Sequence, residues 1–205
     1  MDQKMQVLLP NGSPEKPEST LSEIRFIGRG GQGVVSAAQL VAEAAMAEGK
    51  YIQAFPEFGA ERSGAPISAY ARISNEPIEI HCLIREPAIT VVIDRSLSQA
   101  KSSTIGLKQD GLMLCNYDGS GSELLEKLEL RGRAKLFTVK AREIAMSTIG
   151  RDIANTPMMG ALIKVSKLVE LESVESVIAK RFKDKILQSN IIALKQGYEG
   201  VLEAL

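Results

Sequence analysis

The sequence predicts an α/β protein: a three-layer α/β/α sandwich with a mostly parallel or mixed sheet and a C-terminal helical segment. Three observations carry this reading. The short apolar run Ile24-Arg25-Phe26-Ile27 passes through a glycine cluster straight into an alanine-rich helical pattern. The continuous run Ala88-Ile89-Thr90-Val91-Val92-Ile93 has the character of a strand covered on both faces. Strand-like and helix-like segments then alternate until Val139, beyond which only helical spacing occurs.

Residues 1–22 hold Pro10, Pro14 and Pro17 with Gly12 among polar neighbours, which predicts a flexible leader. A single domain is expected over 23–205, since 205 residues suit one sizeable core. After the strand at 24–27, apolar residues from Val34 to Met46 recur at helical spacing, and Gly49 is a natural stop. Tyr51–Phe55 reads as a second strand, completing a βαβ unit. It runs into the loop Pro56–Pro66, too rich in Gly and Pro for regular structure. Ile67–Ile73 alternates like a half-buried strand, with Ile78-Glu79-Ile80 expected to pair with it. Strands follow at 88–93, 111–116 and 135–139, with a helix near 123–130. Helices are expected at 141–149, 173–182 and 189–205, and one opens at Asn155-Thr156-Pro157, read as a cap followed by proline at the first helical position.

Composition excludes several classes of function. Lys plus Arg equals Asp plus Glu at 25 each, so no bulk charge directs the chain to nucleic acid or an anionic membrane. Near-zero net charge favours association, which fits a subunit. The two cysteines, Cys82 and Cys115, are too few for an iron–sulfur cluster or structural zinc, and two buried free thiols are expected. No stretch is apolar enough to span a bilayer and no signal-peptide core is present, so a reduced, cytoplasmic setting is expected.

The glycines Gly28, Gly30, Gly31 and Gly33 lie between a strand and a helix, where bare backbone N–H groups face an anion. The spacing Gly28-x-Gly30-x-x-Gly33 satisfies the dinucleotide fingerprint. The acid that should read the ribose is missing, because the second strand ends in Gln53-Ala54-Phe55. A phosphate-binding P-loop is excluded too, since Val34-Val35 follow Gly33 where Lys and Ser/Thr are required. Arg29 and Gln32 add directed donors that favour a ligand over a plain packing turn, which stays the alternative. Arg62 could face an anion or pair locally with Glu57 or Glu61. His81, the lone histidine, and its neighbour Cys82 point to opposite faces of an expected strand and form no catalytic couple. Asp94, at a strand end, is read as a cap for the helix after it. No catalytic residue and no metal site are expected.

Taken together, Arg25–Gly33, Ser36-Ala37-Ala38, Ala54–Pro66, Val92-Ile93-Asp94, Asn155–Ala161 and the closing Asn190 to Glu199 resemble the gamma subunits of pyruvate:ferredoxin oxidoreductase (pyruvate synthase), in the 2-oxoacid:acceptor oxidoreductase family. The resemblance implies a reaction of pyruvate, or a branched-chain 2-oxoacid, with coenzyme A to give acyl-CoA, carbon dioxide and reduced ferredoxin. It implies partner subunits of alpha, beta and delta type that hold thiamine diphosphate, magnesium and iron–sulfur clusters, with no cofactor bound by this chain alone. It also implies that Gly28, Arg29, Gly30, Gly31, Gln32 and Gly33, with Arg62, help position coenzyme A. A scaffold subunit without ligand contacts, and a free-standing nucleotide-binding oxidoreductase, are the alternatives.

Overall fold

The computed structural model describes residues 21–57 and 65–205. The expected leader therefore lies outside the described residues up to position 20, and Ser22 already opens the first strand. Strand β1 (Ser22–Arg29) leads into helix α1 (Val34–Ala47), and strands β2 (Tyr51–Glu57), β3 (Pro66–Ser74), β4 (Ile89–Val92) and β5 (Gly111–Asn116) follow. Helix α2 (Gly121–Lys127), strand β6 (Ala134–Val139), helices α3 (Ala141–Thr148), α4 (Asn155–Ser166), α5 (Leu171–Arg181) and α6 (Asp184–Glu199), and strand β7 (Leu202–Glu203) complete the order.

All seven strands form one mixed sheet in the order β2-β3-β1-β4-β5-β6-β7. The centre, β1-β4-β5-β6, is parallel. At one margin β3 runs antiparallel to both β1 and β2, and at the other β7 runs antiparallel to β6. The βαβ unit expected at the N-terminus is thus split: β1 and β2 share a direction, but β3 lies hydrogen-bonded between them. Side-chain size explains the insertion. Residues Ala69, Ala71 and Ile73 of β3 form a low surface under α1, whose own Ala37, Ala38, Ala44 and Ala45 are buried. Helix α1 is apolar nearly all round because α4 and α5 cover the side away from the sheet.

The two faces of the sheet are unequal. One carries α1, α4, α5 and α6 over the larger core, where Ile24, Phe26, Val91 and Ile93 point. The other carries α2 and short turns over Ile27, Val92, Met113, Cys115 and Leu136. Beside that second core, the back of β1-β3-β2 is polar. Arg72, 1% exposed, donates to Glu23 (3.0 Å), Gln53 (3.0 Å) and the carbonyls of Ile80 (3.3 Å) and Cys82 (2.8 Å). These bonds correct the expected strand at 78–80. Its carbonyls accept from side chains, Ile80 O from Gln53 and Arg72, and so build no ladder.

Helical boundaries also differ from expectation, α2 among them at Gly121–Lys127. The cap of α4 is Ala154, with Asn155 the first helical residue and Pro157 the third. The Asn155 amide reaches Gly33 O (3.5 Å) while its oxygen accepts from Thr156 N (2.9 Å), so it ties the start of α4 to the start of α1. Helix α5 begins at Leu171, two residues before the predicted start. The last segment is no helix throughout: α6 starts at Asp184 and stops at Glu199, and Leu202–Glu203 adds a strand against Phe137 and Thr138. Helices α4 and α6 cross at two glycines. A Cβ on Gly160 would sit 2.8 Å from Tyr198 N, and one on Gly197 would sit 2.6 Å from Pro157 C.

Candidate functional site

In an open parallel sheet, ligands bind beyond the carboxyl ends of the strands where the connections diverge. Here that point is the junction of β1 and β4. The chain leaves β1 through α1 toward β2 and β3 on one side, and β4 lies on the other. The turn Gly28–Gly33 sits there. Gly31 (φ 86°) and Gly33 (φ 74°) are left-handed, which glycine alone adopts without strain. Gly28 is required by space, since an added Cβ would lie 2.6 Å from Val34 Cγ2 and 3.0 Å from Gln32 Oε1. Gly30 and Gly31 face open space, with nothing within 4 Å of an added Cβ. Gly33 holds the cap position of α1 without a side-chain cap, leaving first-turn N–H groups for an outside acceptor, and the Asn155 side chain packs against it.

Asp94, just past β4, holds this turn in shape. Gln32 accepts from the Arg29 N–H (2.8 Å) and donates to Asp94 Oδ2 (2.7 Å). The Arg29 guanidinium lies 3.5 Å from Asp94 Oδ1 and donates to Ser96 Oγ (3.1 Å). Asp94 Oδ1 also accepts from Ser96 and from Leu97 N (3.1 Å), which is the capping role its position predicts. Burial alone would raise the Asp94 carboxyl, but the Ser96 hydroxyl, the Gln32 amide, the Leu97 N–H and Arg29 outweigh it and hold it below its ordinary 3.8. A depressed carboxyl stabilises the fold above its unfolded pKa, and that contribution is lost as pH falls through the folded value. Asp94→Asn is therefore expected to lower the melting temperature at neutral pH. Melts repeated at progressively lower pH should show the gap closing below 3.8.

A crevice of about 390 Å³ opens beside the turn, lined by Gln32, Asp94, Arg95, Asn116, Arg142 and Asp152 among others. Its floor is stitched by Asn116, which donates to Ile93 O (2.9 Å) and accepts from Arg142 N (3.2 Å) at the start of α3. Three Arg–Asp pairs surround the opening: Arg29–Asp94, Arg95–Asp118 at 2.7 Å and Arg142–Asp152 at 2.9 Å. Sequence reasoning missed Asn116, Arg142 and Asp152. Asn116 had a signal, a buried amide at the carboxyl end of a central strand. Arg142 and Asp152 had none, since ten residues and a helix separate them and only folding pairs them.

The other sequence candidates fall elsewhere. His81 and Cys82 are exposed in the irregular segment after β3, which corrects the expected burial of both thiols. Cys115 is buried, and burial pushes its thiol up to about 12, so it stays a protonated core residue. No cluster of metal-ligating side chains occurs among the described residues. Arg62 lies outside the described residues, although the flanking ends of β2 and β3 reach the same edge as the turn, with Pro66 opposite Arg29. Nearby, Tyr70 donates to Glu57 (2.6 Å), and burial together with that carboxylate pushes its hydroxyl up to about 12.

Comparison with known proteins places this geometry in a family. Residues 23–200 match the family model described as pyruvate ferredoxin/flavodoxin oxidoreductase. The chain is 48% identical over 177 residues to the pyruvate/ketoisovalerate oxidoreductases common subunit gamma of Pyrococcus abyssi, covering 86% of this chain and 95% of that one. Among solved structures, it is similar to the pyruvate oxidoreductase subunit PORC of Thermotoga maritima, with TM-score 0.81, 41% identity, and coverage of 91% of this chain and 99% of that one. A 2-oxoglutarate:ferredoxin oxidoreductase from Magnetococcus marinus shares the fold at TM-score 0.71 and 21% identity, the likeness covering 89% of this chain and 31% of that chain. The chain belongs to the pyruvate ferredoxin/flavodoxin oxidoreductase family, among its gamma subunits.

Proposed function

We propose that this chain serves as the gamma subunit of a cytoplasmic, multi-subunit 2-oxoacid:ferredoxin oxidoreductase, and that it places coenzyme A for the reaction while helping to assemble the complex. The substrate is pyruvate or a branched-chain 2-oxoacid. The Pyrococcus relative is named as a subunit common to pyruvate and ketoisovalerate oxidoreductases, which supports a gamma chain indifferent to that choice. Partner subunits of alpha, beta and delta type supply the thiamine diphosphate, magnesium and iron–sulfur clusters, and pass electrons to ferredoxin. The described residues offer no metal-ligating cluster of their own.

One observation carries the reading. The Gly28–Gly33 turn is braced by Arg29, Gln32 and Asp94, while Gly30 and Gly31 face free space just before the uncapped start of α1. Backbone N–H groups at a helix start donate to phosphate oxygens, and coenzyme A carries a diphosphate. Arg29 and Gln32 act here by fixing the turn, since their polar groups are engaged with Asp94 and Ser96. The contribution is positional: the subunit orients the thiol-bearing substrate and does no acid–base chemistry.

Gly30 gives a cleaner test than Gly31, because it needs no left-handed backbone and has room for a side chain. Gly30→Val in the assembled enzyme is expected to raise the KM for coenzyme A by about tenfold, a loss of ~1.4 kcal/mol, with assembly and melting temperature unchanged. An unchanged KM in a normally assembled complex would establish the chain as a scaffold instead.

A further inference from the structure

We infer that Arg142 is a second anion contact in the same crevice, and that it receives the ribose phosphate monoester of coenzyme A by releasing Asp152. The inference rests on the coenzyme A reading above and assigns a residue that the family resemblance did not.

The geometry begins with Asn116. Its side chain accepts from Arg142 N, which fixes the first turn of α3 against the end of β5 and aims Arg142 at the crevice wall. Gln32 and Arg142 line the same cavity of about 390 Å³, so one ligand can meet the glycine turn and Arg142 together. A diphosphate on the turn leaves one further anionic group on coenzyme A, the phosphate monoester on its ribose. That group carries close to two negative charges at neutral pH.

Arg142 suits it for two reasons. Its side chain is 51% exposed and that of Asp152 53% exposed, so their 2.9 Å pair is a weak surface contact that exchanges at little cost. Arg95 lines the wall too, but its partner Asp118 is more sheltered at 33% exposure, and the pair is shorter at 2.7 Å. A guanidinium binds a phosphate through two parallel N–H donors, and a dianion competes well against a single carboxylate. Asp152, on the loop before α4, then turns to water.

The decisive comparison uses coenzyme A and its 3′-dephospho form, measured by calorimetric titration and by KM in the assembled complex. Wild type is expected to prefer coenzyme A by about tenfold or more, the scale of one charge-assisted contact. Arg142→Gln should abolish that preference by weakening coenzyme A alone, and Arg142→Lys should restore part of it. Asp152→Asn should move the other way and tighten coenzyme A, because the competing carboxylate is gone. A structural role for the pair would make both variants harmful and would weaken both ligands alike, and either result overturns the inference. Gly30→Val separates the two levels. If it raises the KM while Arg142→Gln leaves the preference intact, only the Arg142 assignment fails; if it changes nothing, the coenzyme A site itself is misplaced.

Discussion

Gly197→Ala, a change of one methyl group, is expected to destabilise this chain by about 2 kcal/mol or more and to lower the yield of soluble subunit. The added Cβ would lie 2.6 Å from both Pro157 C and Pro157 Cα, and closer still to the Pro157 carbonyl oxygen. These are backbone atoms of α4, so no rotamer change relieves the contact. Gly160 has the mirror problem, meeting Leu194 O and Tyr198 N of α6. The helices would have to separate and open a gap along Met158, Ala161, Leu162 and Leu194, which are all buried. Overpacking a core costs about 1–3 kcal/mol and sometimes more. The intrinsic helical gain of Ala over Gly returns about 1. A net loss of about 2 kcal/mol or more is a large share of a total stability of roughly 5–15 kcal/mol, and Gly197→Val, with two further methyl groups against the same backbone, should cost more. Denaturant melts check this, with Gln188→Ala on the exposed side of α6 as a control expected within about 0.5 kcal/mol of wild type.

The second large effect is expected at Arg72. Removing it strands a set of acceptors at once: Glu23, Gln53 and the carbonyls of Ile80 and Cys82. It also strips the cation from the face of Phe55, 5.8 Å away, which stacks on Tyr70. Breaking one partner of a buried pair costs about 3–5 kcal/mol. Arg72→Met, similar in length and apolar, should therefore destabilise by about that amount. Lysine should not rescue it, because one ammonium cannot serve acceptors spread around a planar fork. Adding Glu23→Gln to Arg72→Met should recover part of the loss, since among the described residues Glu23 keeps Lys108 (3.7 Å) as its remaining cationic partner once Arg72 is gone. The local consequence is also specific. Arg72 fastens the irregular segment around Ile80 and Cys82 to the back of the sheet, so limited proteolysis should cut the variant there first.

These two positions show where the sequence was readable and where it was not. Both glycines fell inside motifs that carried the family resemblance, yet nothing local distinguished them from turn glycines. Their role is a contact between helices more than thirty residues apart. Arg72 was hidden by alternation. A strand reading of Ile67–Ile73 assigned one face to polar residues and water, and the structure covers that face with a segment lacking regular hydrogen bonding. The parallel centre was legible because Ile89–Val92 is a β-branched run and Leu112–Cys115 an apolar one, the pattern of strands buried on both faces. The split of the βαβ unit was not, because adjacency in a sheet is decided by which surface fits under α1. The glycine turn is plain in the sequence, but the partner that shapes it, Asp94, lies more than sixty residues away and suggests only a cap from its position.

That bracing has a kinetic meaning. The turn holds its shape through Gln32 and Asp94 in the protein alone, so a phosphate that bound there would have no loop to order. Association should then be one step, limited by encounter and orientation. Observed rates would rise linearly with ligand concentration and show no plateau. Asp94→Asn would loosen the turn and bring a saturating, unimolecular phase into view.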